Sequence, residues 1–400
     1  MNSLERTEVH EQVVEKVSQR FEAYGYHKVR TPAFEAYDLY SKIDSSIPRR
    51  DMIKVIDPTG EVLVLRPDVT IPITKELSHV YGRLTSERRY YYIQEVFRQT
   101  GPNLSPIEHT QAGVEFFGCS SPEADAETIA LAVRTLKDLQ FAGIKIEIGY
   151  PALLDSLIEQ MNMDSRQNSQ LRQLILSKNV AELQGLLREL KIDGQLAAAV
   201  ETITQVYGRP EHVAAKLAGL GLNSYIDGIV EYIQEVCRLL EIYGCKEEII
   251  LDFSLLNNMD YYSGLIFQGY VEGIGRPVVM GGRYDKLGEA FEADLPAIGF
   301  AIEIKPIVES IEGKMIVAPA SRSVGIYYGR AELEEAIVLA EQLRDWHYQV
   351  VISPLQNQEK NDSSAYTVLL QKEGNAILTN EESHQSLTTA EVGMFFEKEA

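Results

Sequence analysis

The chain has 400 residues, 45% of them hydrophobic and 24% charged, which is ordinary globular composition and excludes disordered, collagen-like and low-complexity classes. With 38 basic against 59 acidic residues the formal charge is −21, so a chain-wide nucleic-acid-gripping surface is not expected. Three cysteines without CxxC spacing argue against a disulfide scaffold or zinc ribbon, and no stretch approaches the roughly 18 apolar residues of a membrane span, so a soluble cytoplasmic protein is expected.

In chain order, Val9, Val13, Val14, Val17, Phe21 and Tyr24 form one helical stripe that Gly25 ends. Val55–Asp57 and Val62–Leu65 flank Pro58-Thr59-Gly60, a hairpin signal. Tyr90–Phe97 and Ala112–Phe117 read as a second strand pair joined by the loop Thr100–Pro106. A helix over Ala124–Leu139 and a strand over Ile144–Ile148 follow. From about 153 to 244 the period turns helical, with Leu171, Leu174, Ile175, Leu183, Leu186, Leu187 and Leu190, then Ile226, Ile229, Val230, Ile233, Val236 and Leu240. Strand signals return at Ile249–Phe253, Leu265–Tyr270 and Pro277–Met280, and Leu295–Val308 reads as strand then helix.

Near Ala318–Ser323 the rhythm restarts: strand Val324–Tyr328, helix Ala331–Trp346, strand Tyr348–Ser353, a polar loop and strand Tyr366–Leu370. The expected organisation is therefore a domain over 1–320, with a helical insertion at about 153–244, and a small α/β module over 321–400. The class is α+β, an antiparallel sheet flanked by helices.

Nucleotide fingerprints are missing: there is no GxxxxGK[ST], and Gly273-Ile274-Gly275 runs into Arg276-Pro277 instead of a third glycine and a helix. HExxH and GxSxG are absent and no metal-ligand pair of histidines sits at helical spacing, so neither metal nor cofactor is expected. Four polar clusters sit in strand-like sequence. Leu65-Arg66-Pro67-Asp68-Val69-Thr70 reads, taken alone, as a strand end capped by Asp68 and Thr70. Period two puts Gln111, Gly113 and Glu115 on one face of a strand. Carboxylates on a sheet face are expensive unless paired, and Arg98 is the available counter-charge, so a structural ion pair is the plain account. Met259-Asp260-Tyr261-Tyr262 offers packing tyrosines, and Gly281-Gly282-Arg283-Tyr284-Asp285 a glycine turn.

The order of these clusters carries more than any one of them. Thr31-Pro32-x-Phe34-Glu35, LRPDVT at 65–70, FR with QAGVEFFG across 97–118, MDYYSG at 259–264, GGRYDKL at 281–287 and AIGFAIEI at 297–304 together resemble the catalytic domain of histidyl-tRNA synthetases, a class II synthetase family. The resemblance spans about 300 residues, including a helical insertion, and the C-terminal module is similar to a reduced anticodon-binding domain. It implies that Asp68, Thr70 and Gln111 meet the amine of histidine, Arg98 its carboxylate, and Glu115 and Tyr262, with Tyr261 beside them, the imidazole.

The nucleotide side departs from that family. Thr100 stands where the family has a glutamate two residues after the motif-2 arginine, and the segment Gln99–Thr110 holds no lysine or arginine. Asn257 aligns with a catalytic arginine, and Pro306 with the closing motif-3 arginine. Adenylation needs fixed cations where charge develops, and losing one such contact typically costs about 2.7–4 kcal/mol. A histidine pocket kept beside a nucleotide pocket lost resembles the regulatory subunits that partner the short catalytic form of ATP phosphoribosyltransferase. That likeness implies L-histidine as effector, a homodimer paired around Pro32 within a hetero-oligomer, no catalysis of its own and no tRNA. Residues 321–400, with 6 basic and 13 acidic side chains, make a poor surface for an anticodon stem. Two alternatives remain open: an active histidyl-tRNA synthetase, and a regulatory subunit whose inhibitory histidine binds instead at the interface with its partner.

Overall fold

The computed structural model describes residues 3–41, 43, 47–84, 86–100, 105–218, 224–255, 261–311, 323–346, 348–355, 364–380 and 383–399. The chain divides into two compact units, Met1–Glu312 and Gly313–Ala400.

The first unit opens with helix α1 (Ser3–Ala23), which buries Val9, Val13, Val17 and Phe21 and ends at Gly25 with φ +78°. After a short strand β1 (His27–Lys28), strands β2 (Phe34–Ala36), β3 (Lys54–Ile56) and β4 (Val62–Leu65) make a three-stranded antiparallel sheet in the order β2-β4-β3, with helix α2 (Tyr37–Ser41) between β2 and β3. The β3–β4 turn is set by Asp57, whose carboxylate accepts the backbone N–H of Thr59 and of Glu61. Helix α3 (Thr70–Val80) then leads to the long hairpin of β5 (Arg88–Thr100) and β6 (Ser105–Phe117). Both strands run further than the hydrophobic pattern suggested, because their outer ends are polar and carry no alternation signal. The expected loop Thr100–Pro106 is correspondingly shortened, and residues 101–104 lie outside the described residues.

Helix α4 (Pro122–Asp138) and strand β7 (Lys145–Gly149) precede a helical stretch of α5 (Pro151–Gln160), α6 (Ser165–Leu176), α7 (Val180–Glu189), α8 (Gly194–Gln205), the two-residue β8 (Tyr207–Gly208), α9 (Pro210–Ala218) and α10 (Ser224–Ile242). The apolar stripes expected there are buried, apart from Leu190, which is half-buried at the C-terminal end of α7. The chain returns through β9 (Ile249–Asp252), β10 (Ile266–Tyr270), β11 (Val279–Arg283) and β12 (Ala297–Glu303) to helix α11 (Ile304–Ile311).

These strands build a nine-stranded sheet, β1-β5-β6-β12-β11-β10-β7-β9-β8. The run from β5 to β7 is antiparallel throughout, while β1–β5 and β7–β9 are parallel. The α+β class expected from the sequence is the class found. The second unit holds β13 (Ser323–Tyr328), α12 (Leu333–Asp345), β14 (Gln349–Pro354), β15 (Tyr366–Leu370), β16 (Asn375–Thr379), β17 (His384–Thr388) and α13 (Thr389–Glu399), with a five-stranded sheet β14-β13-β15-β16-β17. Its last two strands and final helix went unread in the sequence, where short polar-rich strands such as His384–Thr388 carry little periodicity.

Candidate functional site

The middle of the large sheet has an unusual floor. Register pairs Glu115 with Gly299, Gly113 with Ala301 and Gln111 with Glu303 across β6 and β12, and Gly299 with Gly282 across β12 and β11. Small residues at these points let large neighbours lie down on the sheet. A Cβ at Gly113 would meet the Tyr92 ring at 2.4 Å, one at Gly282 the Tyr262 ring at 2.7 Å, and one at Gly299 would collide with the Glu115 carboxylate. The glycines of QAGVE, GGRYD and AIGF therefore make room for the polar side chains above them.

All seven residues singled out in the sequence, Asp68, Thr70, Arg98, Gln111, Glu115, Tyr261 and Tyr262, line one pocket over this floor. Asp68 and Thr70 arrive on the turn into α3. That turn is held by Arg66, whose buried guanidinium donates to the carbonyls of Thr31, Pro32 and Glu95, each at 2.7 Å. Asp68 is buried and accepts the Ile71 backbone N–H at 3.0 Å, so from one residue before the N-cap Val69 it holds the first turn of α3 as well as facing the pocket. Burial lifts its carboxyl to about 6, against the pull of that hydrogen bond and of Arg98.

Glu115 is only 1% exposed. Thr70 Oγ1 donates to its Oε1 at 2.5 Å and the Tyr284 hydroxyl donates to its Oε2. Burial is the largest influence on this carboxyl and raises it to about 8, while the two hydroxyl bonds pull it down and Asp68 pushes it further up. The expected Arg98–Glu115 ion pair is not what forms. Arg98 Nε donates to the Pro67 carbonyl at 2.7 Å, its charge acts on Asp68, and hydroxyls take the place of a cation on Glu115. Tyr261 and Tyr262 stack with ring centroids 4.9 Å apart, and Tyr261 meets Tyr284 edge-on at 6.0 Å, closing the pocket with aromatic surface.

Gln111 is oriented by a residue the sequence reading passed over. Its Nε2 donates to Glu303 Oε1 at 2.5 Å. A carboxylate only accepts, so the amide nitrogen must face Glu303 and the amide oxygen is left for the pocket. His109 packs on the same carboxylate, Nδ1 to Oε2 3.7 Å, and burial is the main cause that lowers its pKa. Tyr92, Tyr284 and Glu303 were the missed residues. Alternation in AIGFAIE, which sets Gly299, Ala301 and Glu303 on one face, was the available signal for Glu303. Arg283 is a strut behind the site: it pairs with the buried Asp125 on α4 at 2.5 Å, and Tyr232 on α10 donates to the same carboxylate at 2.7 Å.

On the nucleotide side, Pro306 is buried in the first turn of α11, where a missing N–H is tolerated but no side-chain charge is offered. Asn257 lies outside the described residues. Among the described residues no cluster of ligating side chains is arranged for a metal ion.

An antiparallel sheet carrying a buried polar pocket, with helices packed around it, defines a protein of the class II aminoacyl-tRNA synthetase-like fold. Residues 3–307 match the family model of histidyl-tRNA synthetase. A protein of Oceanobacillus iheyensis named ATP phosphoribosyltransferase regulatory subunit is 40% identical over 374 residues, 93% of this chain and 89% of that one. A protein of the same name from Alkaliphilus metalliredigens is 33% identical over 307 residues, covering 76% and 77%. The chain belongs to the ATP phosphoribosyltransferase regulatory subunit family, within the wider histidyl-tRNA synthetase-like group. Among solved structures, one described as an ATP phosphoribosyltransferase regulatory subunit/histidyl-tRNA synthetase from Bacillus halodurans matches with a TM-score of 0.74 at 26% identity, over 88% of this chain and 90% of that one. The histidyl-tRNA synthetase of a Nostoc species matches with a TM-score of 0.79 over 99% and 96%; at 16% identity it speaks for the fold alone.

Proposed function

We propose that this chain is a non-catalytic regulatory subunit of ATP phosphoribosyltransferase. It assembles in the cytoplasm with a short-form catalytic subunit, enables the first step of histidine biosynthesis and mediates its feedback inhibition by L-histidine. Asp68, Gln111 and Thr70 take the ammonium, Arg98 the carboxylate, and Glu115 with Tyr261 and Tyr262 the ring. The observation that carries this reading is the convergence of those seven side chains on one pocket; Pro306, where the resemblance expects the motif-3 arginine, offers no charge. A pocket with polar partners for both ring nitrogens rejects isosteres that lack them by a wide margin.

The proposal includes a homodimer within the hetero-oligomer and excludes aminoacylation and tRNA binding. It is tested by isothermal titration of the isolated protein with L-histidine and with ATP, alongside an aminoacylation assay. Histidine binding without ATP binding or aminoacylation is expected. Micromolar ATP binding with charging of tRNA would instead make the chain a working synthetase.

A further inference from the structure

The pocket holds a carboxylate for which the described residues supply no counter-ion. Both Glu115 oxygens accept from hydroxyls, and no cation contributes to its environment. Asp68, on the turn before α3, adds a second negative charge, and the cation acting on it is Arg98 of β5. The other titratable groups around Glu115 are tyrosines: Tyr26 after α1, Tyr92 of β5, Tyr261 and Tyr262 before β10, and Tyr284 after β11. Burial raises all of them, so they stay neutral near pH 7. Arg98 answers Asp68, and in the empty pocket Glu115 is kept neutral by its own proton instead of by a cation. A zwitterionic amino acid satisfies Asp68 and Arg98 with its ammonium and carboxylate and leaves Glu115, still without a cation, to meet a basic ring.

We propose that the pocket takes the histidine ring as imidazolium, with Glu115 as its counter-ion, and that Glu115 itself supplies the proton when the ring arrives neutral. This rests on the histidine-binding reading and adds its protonation state. The O–H bond of the Glu115 carboxyl breaks, an N–H bond forms on the ring, and no proton is exchanged with solvent. Burial holds the empty-pocket carboxyl at about 8, above the ~6.5 of a free imidazole. Once the ring is bound, an ion pair replaces a lone buried carboxylate, which lowers the first value and raises the second. Between about pH 6.5 and 8 the affinity is therefore flat. Above 8 the empty pocket has lost its proton, binding must draw one from solvent, and affinity falls about tenfold per unit. Below about 6 the protonation of Asp68 weakens its hold on the ammonium.

The test is titration of the full-length protein with L-histidine from pH 6.5 to 9, wild type against Glu115→Gln, joined to ring ¹⁵N spectra of labelled histidine in the wild-type complex. Titration of the ligand ammonium is common to both proteins and cancels in the ratio of their affinities. The expected result is wild-type affinity constant within about twofold up to pH 8, then a fall absent from the variant, and two ring nitrogens both at imidazolium shifts. Should Glu115→Gln fail to fold, the spectra decide alone. A wild-type affinity that rises tenfold per unit from 6.5 to 8, or the split shifts of a neutral ring, overturns the proposal while leaving histidine binding intact. Absence of histidine binding at every pH overturns both.

Discussion

Glu115 is a carboxylate walled in by hydroxyls and aromatic rings, and this fixes how the empty protein responds to pH. Its folded value of about 8 lies far above the ~4.3 of an unfolded chain. The stability it contributes is complete below the unfolded value and is lost as pH rises through the folded one, by at most about 1.4 kcal/mol per unit. Ligand-free wild type should thus lose about 1–3 kcal/mol more than Glu115→Gln between pH 6 and 8, read from urea midpoints; parallel curves would contradict this. At this scale period two set Gln111 and Glu115 on one face, and the resemblance carried by the motif order grouped Asp68, Thr70, Arg98, Tyr261 and Tyr262 with them. Neither showed their partners. Arg98 directly follows the strand's last hydrophobic residue, Phe97, and is spaced as if free to pair with Glu115, whereas the turn at Pro67 captures its Nε. Tyr284 sat in plain view within GGRYD, yet its contact with Glu115 depends on a sheet register that no local pattern encodes.

At the scale of elements, the pocket depends on glycines as much as on acids. Gly299 of β12 lies directly across from Glu115, and a Cβ there would press on both the Glu115 carboxylate and the Val114 carbonyl at 2.4 Å. Backbone cannot yield as a side-chain tip does. Gly299→Ala should therefore cost about 1–3 kcal/mol of stability and reduce histidine affinity at least tenfold, measured by chemical unfolding and calorimetry. Wild-type affinity in that variant would show that the close approach has no bearing on binding. Elements with strong periodicity, α1, α4 and the insertion helices, were legible because their apolar stripes face a core. The polar outer half of the β5–β6 hairpin and the strand pair β16–β17 were not: β17 is polar, and β16, although it buries Ala376 and Leu378, is only five residues long, so their pairing is set by neighbouring strands instead of their own pattern.

For the whole molecule, the small sheet β2-β4-β3 leaves Phe34 (51% exposed), two residues from Pro32, and Ile56 (72%) and Val62 (41%) on β3 and β4 uncovered, whereas Leu39 and Tyr40 belong to the monomer core and Tyr37 packs against it. Apolar exposure of this kind suits a second copy of the chain. Sedimentation equilibrium should find a dimer, and Phe34→Glu with Ile56→Glu should shift it toward monomer; a stable wild-type monomer would count against this arrangement. The net charge of −21 was visible from the outset, but which surface meets a catalytic partner is not written in charge or periodicity. The central claim is that feedback passes through this pocket, and it is tested most directly in the assembled enzyme. Histidine inhibition of the purified complex should be compared for wild type and Glu115→Ala, with assembly checked by gel filtration. Loss of one charged hydrogen-bonding partner, worth roughly 1.5–3 kcal/mol, predicts inhibition weakened about 10- to 150-fold in an intact complex. An unchanged inhibition curve would place the effector elsewhere, at the interface with the catalytic subunit.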